Sequence, residues 1–307
     1  MHPAFSIIIL TTLSGLGYGL AAVLGLGLLD PAATATKCAH VLALALISAG
    51  LLSSTAHLGN PQRAWRALSQ WRSSWLSREG VMSIVTFVPL LVSAWASITE
   101  GAYLPLPGLI GTVLCVVTVY CTSMIYASLK SVQAWYTPLT PACYALLAAT
   151  GGFVLASVFA FAGGGNTRAL PLLAVGFLIA AWGTKLRWRE RMKSLVPLST
   201  PESATGLGNI GRVRLFERPH VTENYLTREM GFKVARKHAK KLWRLALVAG
   251  AIVPAVLLLV LAALGGQGVL PVAIASLAAL AHWLGVFVER WLFFAEARHS
   301  VVNYYGG

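Results

Sequence analysis

Runs of apolar residues long enough to cross a bilayer recur along this chain, and they constrain its fold more than any other feature. A spanning helix needs about 20 mostly apolar residues, because hydrocarbon offers no partner to a free backbone N–H or C=O. Seven stretches meet or approach that length: 4–28, 38–56, 81–98, 107–129, 142–162, 242–264 and 269–294. An eighth runs from Ala169 to about Trp188. Its apolar part ends at Trp182, so Lys185 and Arg187 are expected to snorkel toward headgroups. The expected fold is therefore all-α: a polytopic eight-transmembrane-helix bundle, one integral membrane domain over 1–307, with 183–241 as a long loop between spans six and seven. Composition agrees, with 57% hydrophobic and 11% charged residues against about 25% charged in a soluble domain. The opening apolar stretch shows no small-residue cleavage pattern and is read as the first span. Breakers fall between spans, at Asp30-Pro31, at Pro105 and Pro107, at Pro138 and Pro141, and at Gly163-Gly164-Gly165-Asn166. Gly15, Gly19, Gly151 and Gly152 offer close helix contacts.

Charge gives the orientation. With eight spans, all of the 24 Lys and Arg except Lys37 and Arg168 gather on one side. The positive-inside rule makes that side cytoplasmic, with both termini inside. The net charge of +14 is thus a consequence of topology and does not call for a nucleic-acid partner. Cys38, Cys115, Cys121 and Cys143 form no CxxC, so the chain is expected to hold no iron–sulfur cluster and no zinc. Haem needs two histidines facing across the bundle. Only His282 lies well inside a span, and a His57–His282 pair is the one that topology leaves open. A core histidine bonded to a neighbouring helix is the simpler reading, and neither haem nor metal is expected. Gly206 to Gly211 spells GxGxxG by letters alone, with no strand before it.

Two basic-side segments carry information. The first begins His57-Leu58-Gly59-Asn60-Pro61. Gly59 suits a left-handed cap on span two, Asn60 the cap of a short helix, and Pro61 its first turn. Ala64, Trp65 and Leu68 should face apolar surroundings, with Arg63 and Arg66 toward headgroups or a partner. Trp71 and Trp75 fit an interfacial belt. Ser77 can cap span three, which places Glu79 in its first turn beside free N–H groups. His57, Arg63 and Glu79 then share one depth. Histidine or arginine can hydrogen-bond quinone oxygens and a carboxylate can relay protons, but the same residues also suit ordinary interfacial chemistry with lipid phosphate. The second segment includes an irregular stretch, 202–217. After it, Leu226 to Gly231 echoes Leu76 to Gly80, and a basic run, 233–244, leads into span seven. Arg228, Lys233, Arg236 and Lys237 could meet anionic lipid or a soluble subunit. Glu289 and Arg290 read as a structural ion pair facing protein, a cavity or the interface.

Four segments together resemble a known family: HLGNPQRAW at 57–65, SWLSREG at 74–80, ENYLTREMGFKVARKHAKKL at 223–242 and ERWLFFAEARH at 289–299. The chain resembles the membrane anchor subunit of dimethyl sulfoxide reductase, among the molybdopterin oxidoreductase complexes. The resemblance implies a multi-pass subunit of the bacterial cytoplasmic (inner) membrane. It would carry a four-cluster iron–sulfur subunit and a molybdopterin catalytic subunit on its cytoplasmic side, and would be non-catalytic for their substrate. It implies exchange of electrons with ubiquinone or menaquinone without haem, at a quinone site formed by His57, Gly59, Arg63 and Glu79. The basic bias favours partners inside the cell and quinone reduction coupled to sulfite oxidation. The alternatives are a quinol-oxidising anchor of an S-oxide or N-oxide reductase and a passive anchor without a quinone site. A solute transporter finds little support, because no span shows paired breaks or midplane carboxylates.

Overall fold

A computed structural model describes residues 4–55, 60–214, 216–217 and 234–304. Eight helices among them are long and apolar enough to span a membrane. They are α1 (Phe5–Gly25), α2 (Thr34–Thr55), α3 (Trp75–Glu100), α4 (Pro105–Ala127), α5 (Leu139–Gly164), α6 (Ala169–Ser194), α7 (His238–Leu264) and α8 (Val269–Ala295). The all-α polytopic fold expected from the sequence is the fold observed. The helix of α7 begins outside the spanning part, at Val234, and α6 runs on to Ser194. Helix therefore replaces both ends of the expected 183–241 loop. Between them lie a short capped helix, Pro201–Thr205, and a single 3₁₀ turn, Leu207–Asn209.

Helix α1 is the centre of the bundle. It packs against α2, α4 and α5 and touches α8, while α3 pairs with α4 on one flank and α6 and α8 pack on α5 on the other, with α7 against α6 and α8. Its close approach to α5 depends on glycine. A methyl on Gly19 would lie 1.9 Å from the Ala148 carbonyl oxygen, and one on Gly152 would lie 2.3 Å from the Gly19 backbone. Gly15 behaves otherwise: a methyl there meets nothing within 4 Å. Its expected role as a contact glycine is not seen, because it borders a small cavity in the bundle and not a neighbouring helix. Helices α7 and α8 cross in the same way as α1 and α5, with Gly285 against Gly250.

The surface and core show the inversion a bilayer demands. Large apolar side chains such as Val88, Val113 and Ile179 are exposed, whereas Thr11, Thr86, Thr118, Thr150 and Ser157 are buried. Each of these buried hydroxyls returns a hydrogen bond to a carbonyl one turn earlier on its own helix, so none is stranded without water. Lys185 departs from expectation. It does not snorkel; it is buried against Glu289, because a carboxylate in reach stabilises the ammonium that distant headgroups would otherwise have to. Arg187, on another face of α6, is exposed.

Gly19→Ala should lower the resistance of the bundle to unfolding by about 1–3 kcal/mol, since a carbonyl cannot yield as a flexible side chain would. Gly15→Ala should leave it unchanged. Thermal unfolding of the two variants in detergent distinguishes them.

Candidate functional site

The basic end of the bundle holds two polar centres. The first is built on the start of α3. Ser74, in extended conformation, caps that helix by accepting from the Ser77 N–H at 3.5 Å. Ser77 sits inside the first turn, where its hydroxyl donates to the Ala67 carbonyl. The cap is thus three residues earlier than the sequence suggests, because the preceding segment folds over the helix start. That segment is a 3₁₀ helix, Pro61–Gln70. Its Leu68 lies so close that a methyl on Gly80 would fall 2.9 Å from it. Arg78 pins the connecting turn, donating to the carbonyls of Trp71 and Arg72 at 3.0 and 2.7 Å, with its guanidinium 4.2 Å from the Trp75 ring centre.

Glu79 lies beyond the first turn, not in it. Its side chain turns inward, 5% exposed, and accepts a 2.6 Å hydrogen bond from the Thr122 hydroxyl of α4. The N–H of Ser77 at the helix start is served by Ser74 instead. Below it, the Tyr18 hydroxyl donates to Ser83 at 3.1 Å and Thr86 meets Thr118 at 2.9 Å, forming a polar seam through α1, α3 and α4. Among the predicted site residues, Arg63 is exposed on the 3₁₀ helix, and no ion pair or hydrogen bond joins it to Glu79. His57 and Gly59 lie outside the described residues, as do Arg228 and Lys233. Asn60 precedes the 3₁₀ helix but makes no side-chain cap. Trp65 is exposed at the protein surface, and Ala64 and Leu68 are half-buried. Arg66 is exposed, and Arg236 and Lys237 sit on the leading turn of the α7 helix.

The second centre joins α6 to α8. Lys185 and Glu289 pair at 2.5 Å, both fully shielded. Arg290 approaches the other Glu289 oxygen at 3.7 Å and lies over the Tyr144 ring at 3.7 Å. Further toward the loops, Arg189 grips Glu296 with two hydrogen bonds, at 2.8 and 3.3 Å. Aromatic rings close the space between these ion pairs: Trp188 and Trp135 pack on Phe293, and the Trp135 indole N–H donates to the Phe293 carbonyl at 3.0 Å. Glu289 and Arg290 were expected to pair, but Lys185, Thr122 and Tyr144 were missed as partners. The spacing held a clue. Lys185 and Arg189 are four apart, and Glu289 and Glu296 seven apart, so each pair shares one helix face. Nothing comparable pointed to Thr122. Outside Arg189 a polar depression of about 470 Å³ opens, walled by Lys193, Lys240, Glu296, Arg298 and His299. Deeper in, His282 bonds the Gly250 carbonyl of α7 at 2.7 Å, as a core histidine does.

Fold and site together define a polytopic membrane protein whose basic end carries its buried charged side chains among the described residues and a cationic surface. The chain belongs to the DMSO reductase anchor subunit (DmsC) family, which it matches over residues 1–295. It is 34% identical to a sulfite dehydrogenase subunit from Allochromatium vinosum, with 99% of each chain covered. No solved structure matches it. As a member of this family it is the membrane anchor of a complex with catalytic and electron-transfer subunits.

Replacing Glu289 by Gln strands two buried cations and should cost about 3–5 kcal/mol of stability. The joint change Lys185→Met and Glu289→Gln should recover more than half of that loss, as read from thermal unfolding in detergent.

Proposed function

We propose that this anchor passes electrons from an iron–sulfur subunit to quinone, at a site where Glu79 supplies protons and His57, Gly59 and Arg63 flank the quinone headgroup. The observation that carries the reading is the position of Glu79, a shielded carboxyl under the 3₁₀ helix that bears Arg63. Thr122 fixes one carboxyl oxygen, which orients the group as a proton donor with no cation in direct contact. General acid catalysis by a positioned carboxyl typically contributes about 10²–10⁴-fold. Reducing quinone to quinol takes two electrons and two protons. The electrons would come from the partner's nearest iron–sulfur cluster and the protons from the cytosol through Glu79. The anchor itself needs no resident redox centre for this.

The basic end is read as cytoplasmic by the positive-inside rule; with the membrane taken as the bacterial inner membrane, the partners would then sit inside the cell. The depression lined by Lys193, Lys240 and Arg298 offers cationic surface for an iron–sulfur subunit or for anionic lipid, and by sequence Arg66, Arg228, Lys233, Arg236 and Lys237 would add to it. The whole-length likeness to a sulfite dehydrogenase subunit supports sulfite as the electron source. Sulfite and water would give sulfate, two protons and two electrons at a molybdopterin subunit, and the electrons would leave as quinol.

In the purified complex, Glu79→Gln should cut sulfite-to-quinone turnover by about 10²-fold while turnover with an artificial redox dye stays intact. Full quinone turnover in that variant would sink the reading. Orientation has its own check. With Cys38 changed to Ser, a cysteine at position 66 should react with a membrane-impermeant maleimide in inside-out vesicles and stay unlabelled in intact cells.

A further inference from the structure

A small internal cavity lies one layer beneath Glu79, among α1, α4, α5 and α8. Its volume is about 20 Å³, above the ~10–15 Å³ one water needs. Thr12, Thr122, Tyr144, His282 and Arg290 stand around it. Three of them carry buried polar atoms without a hydrogen-bond partner among the described residues: Tyr144 Oη, His282 Nε2 and Arg290 Nε. Those side chains are 4%, 0% and 2% exposed, so bulk water does not serve them. His282 Nδ1 faces the Gly250 carbonyl at 2.7 Å and must donate to it, which leaves Nε2 as an acceptor. The tyrosine hydroxyl can give and take, and the guanidinium only gives. The wall is otherwise largely apolar, with Leu16, Val119, Leu147 and Val286, so these three unpartnered groups and Thr122 supply its polar contacts, within the two to four partners an ordered water requires.

Charge points the same way. Lys185 and Glu289 make a neutral pair by themselves. Arg290, at 3.7 Å from Glu289, is therefore a surplus buried cation. Glu79 and Glu289 are the two buried acids among the described residues, so the carboxyl left to balance Arg290 is Glu79. Geometry connects them: Thr122 donates to Glu79 and lines the same cavity as Arg290, and Tyr126 on α4 stacks on Tyr144, whose ring centre lies 3.7 Å from the Arg290 guanidinium. We propose that ordered water in this cavity joins Glu79 to Arg290, making Arg290 the positioning counter-ion that steadies the Glu79 carboxylate each time it has released its proton.

This rests on the reading of Glu79 as proton donor to quinone. In that step the carboxyl O–H bond breaks and an O–H bond forms on the reduced quinone oxygen. The electrons arrive separately from the iron–sulfur partner, and a cytosolic proton later restores the acid. The carboxylate left meanwhile faces a cation across water, not bare apolar core. The other titratable groups around Glu79 are Tyr18 on α1, Cys121 and Tyr126 on α4, and Tyr144 on α5, with His282 beside Arg290 on α8. Arg78, on α3 itself, is turned out to the carbonyls of Trp71 and Arg72. None of them supplies a second inward cation.

The test compares pH profiles of quinone-linked turnover in the intact complex for wild type, Arg290→Lys, Arg290→Gln and Glu79→Gln, with dye-linked turnover as the control. Arg290→Gln should lower quinone-linked turnover about tenfold and move the alkaline limb of the profile up by about one pH unit, the size expected for losing a nearby charge. Arg290→Lys should restore most of the wild-type profile, and dye-linked turnover should not change. A profile in Arg290→Gln that superimposes on wild type, while Glu79→Gln still abolishes quinone turnover, overturns the coupling and leaves the quinone site standing. Full quinone turnover in Glu79→Gln overturns the quinone site itself. Should Arg290→Gln fail to assemble, a map of the wild-type complex that orders water elsewhere in the bundle core decides the matter: density between Tyr144, His282 and Arg290 supports the proposal, and its absence there refutes it.

Discussion

A charge placed in hydrocarbon survives only where another charge, a ring face or water meets it, and the arrangement of this bundle follows from that demand. The cost of an unpaired buried ion is several kcal/mol even after relaxation, more than most single packing contacts return. Lys185, Glu289 and Arg290 meet the demand together, with Trp188 under the ammonium at 3.5 Å and Tyr144 under the guanidinium. Satisfying them fixes the rotation of α6 and α8 about their axes, since a small turn of either helix would separate the 2.5 Å pair. The rings drawn in to shield these charges then reach α4 and α5. Tyr126 packs against Trp135, Tyr144, Phe293 and Phe294, so the two flanks of the bundle meet in one aromatic layer at the basic end.

Away from that layer, cohesion comes from close approach. Helices in lipid gain nothing by burying leucine against leucine, and α1 and α5 touch through Gly19 and Gly152 while α7 and α8 touch through Gly250 and Gly285. At Gly250 the helix loosens into a π turn, Val248–Ile252. The Gly250 carbonyl accepts from both the Trp182 indole at 3.1 Å and His282. A backbone irregularity thereby holds one wall of the internal cavity, linking the helix crossing to the orientation of a side chain that faces the cavity.

The spans could be read from the sequence because hydrocarbon thickness imposes a length, and a length is visible in a string of residues. The glycine turns and the basic bias were visible for similar reasons. What a side chain would meet was not. Gly15 and Gly19 are equivalent on paper, one turn apart on α1, and only the neighbouring helix makes one indispensable. Lys185 looked like a snorkelling residue because its partner lies far along the chain, on α8. Ser77 matched the pattern of a cap, but the 3₁₀ helix folding back from Pro61 claimed its hydroxyl and left the role to Ser74. Glu79 stands out in the sequence as an acid at the depth of His57 and Arg63, and the family resemblance adds it to a quinone site. Its burial and its bond to Thr122 depend on α4, about which residues 57–80 say nothing.

The direction of electron flow does not follow from the anchor. A carboxyl that hands a proton to reduced quinone can equally take one from quinol, and the counter-ion proposed for it would steady the carboxylate in either sense. Any bias has to come from the potentials of the partner's clusters and from the substrate at the catalytic subunit. An anchor with no redox centre of its own would then be interchangeable in mechanism between oxidising and reducing complexes. Its specificity would then reside in the surface proposed to meet the partner, the rim around Lys193, Lys240 and Arg298, and not in the proposed quinone site. On this view a family named for a reductase and a relative named for a dehydrogenase need no difference in quinone chemistry, only a difference in what docks at the basic end.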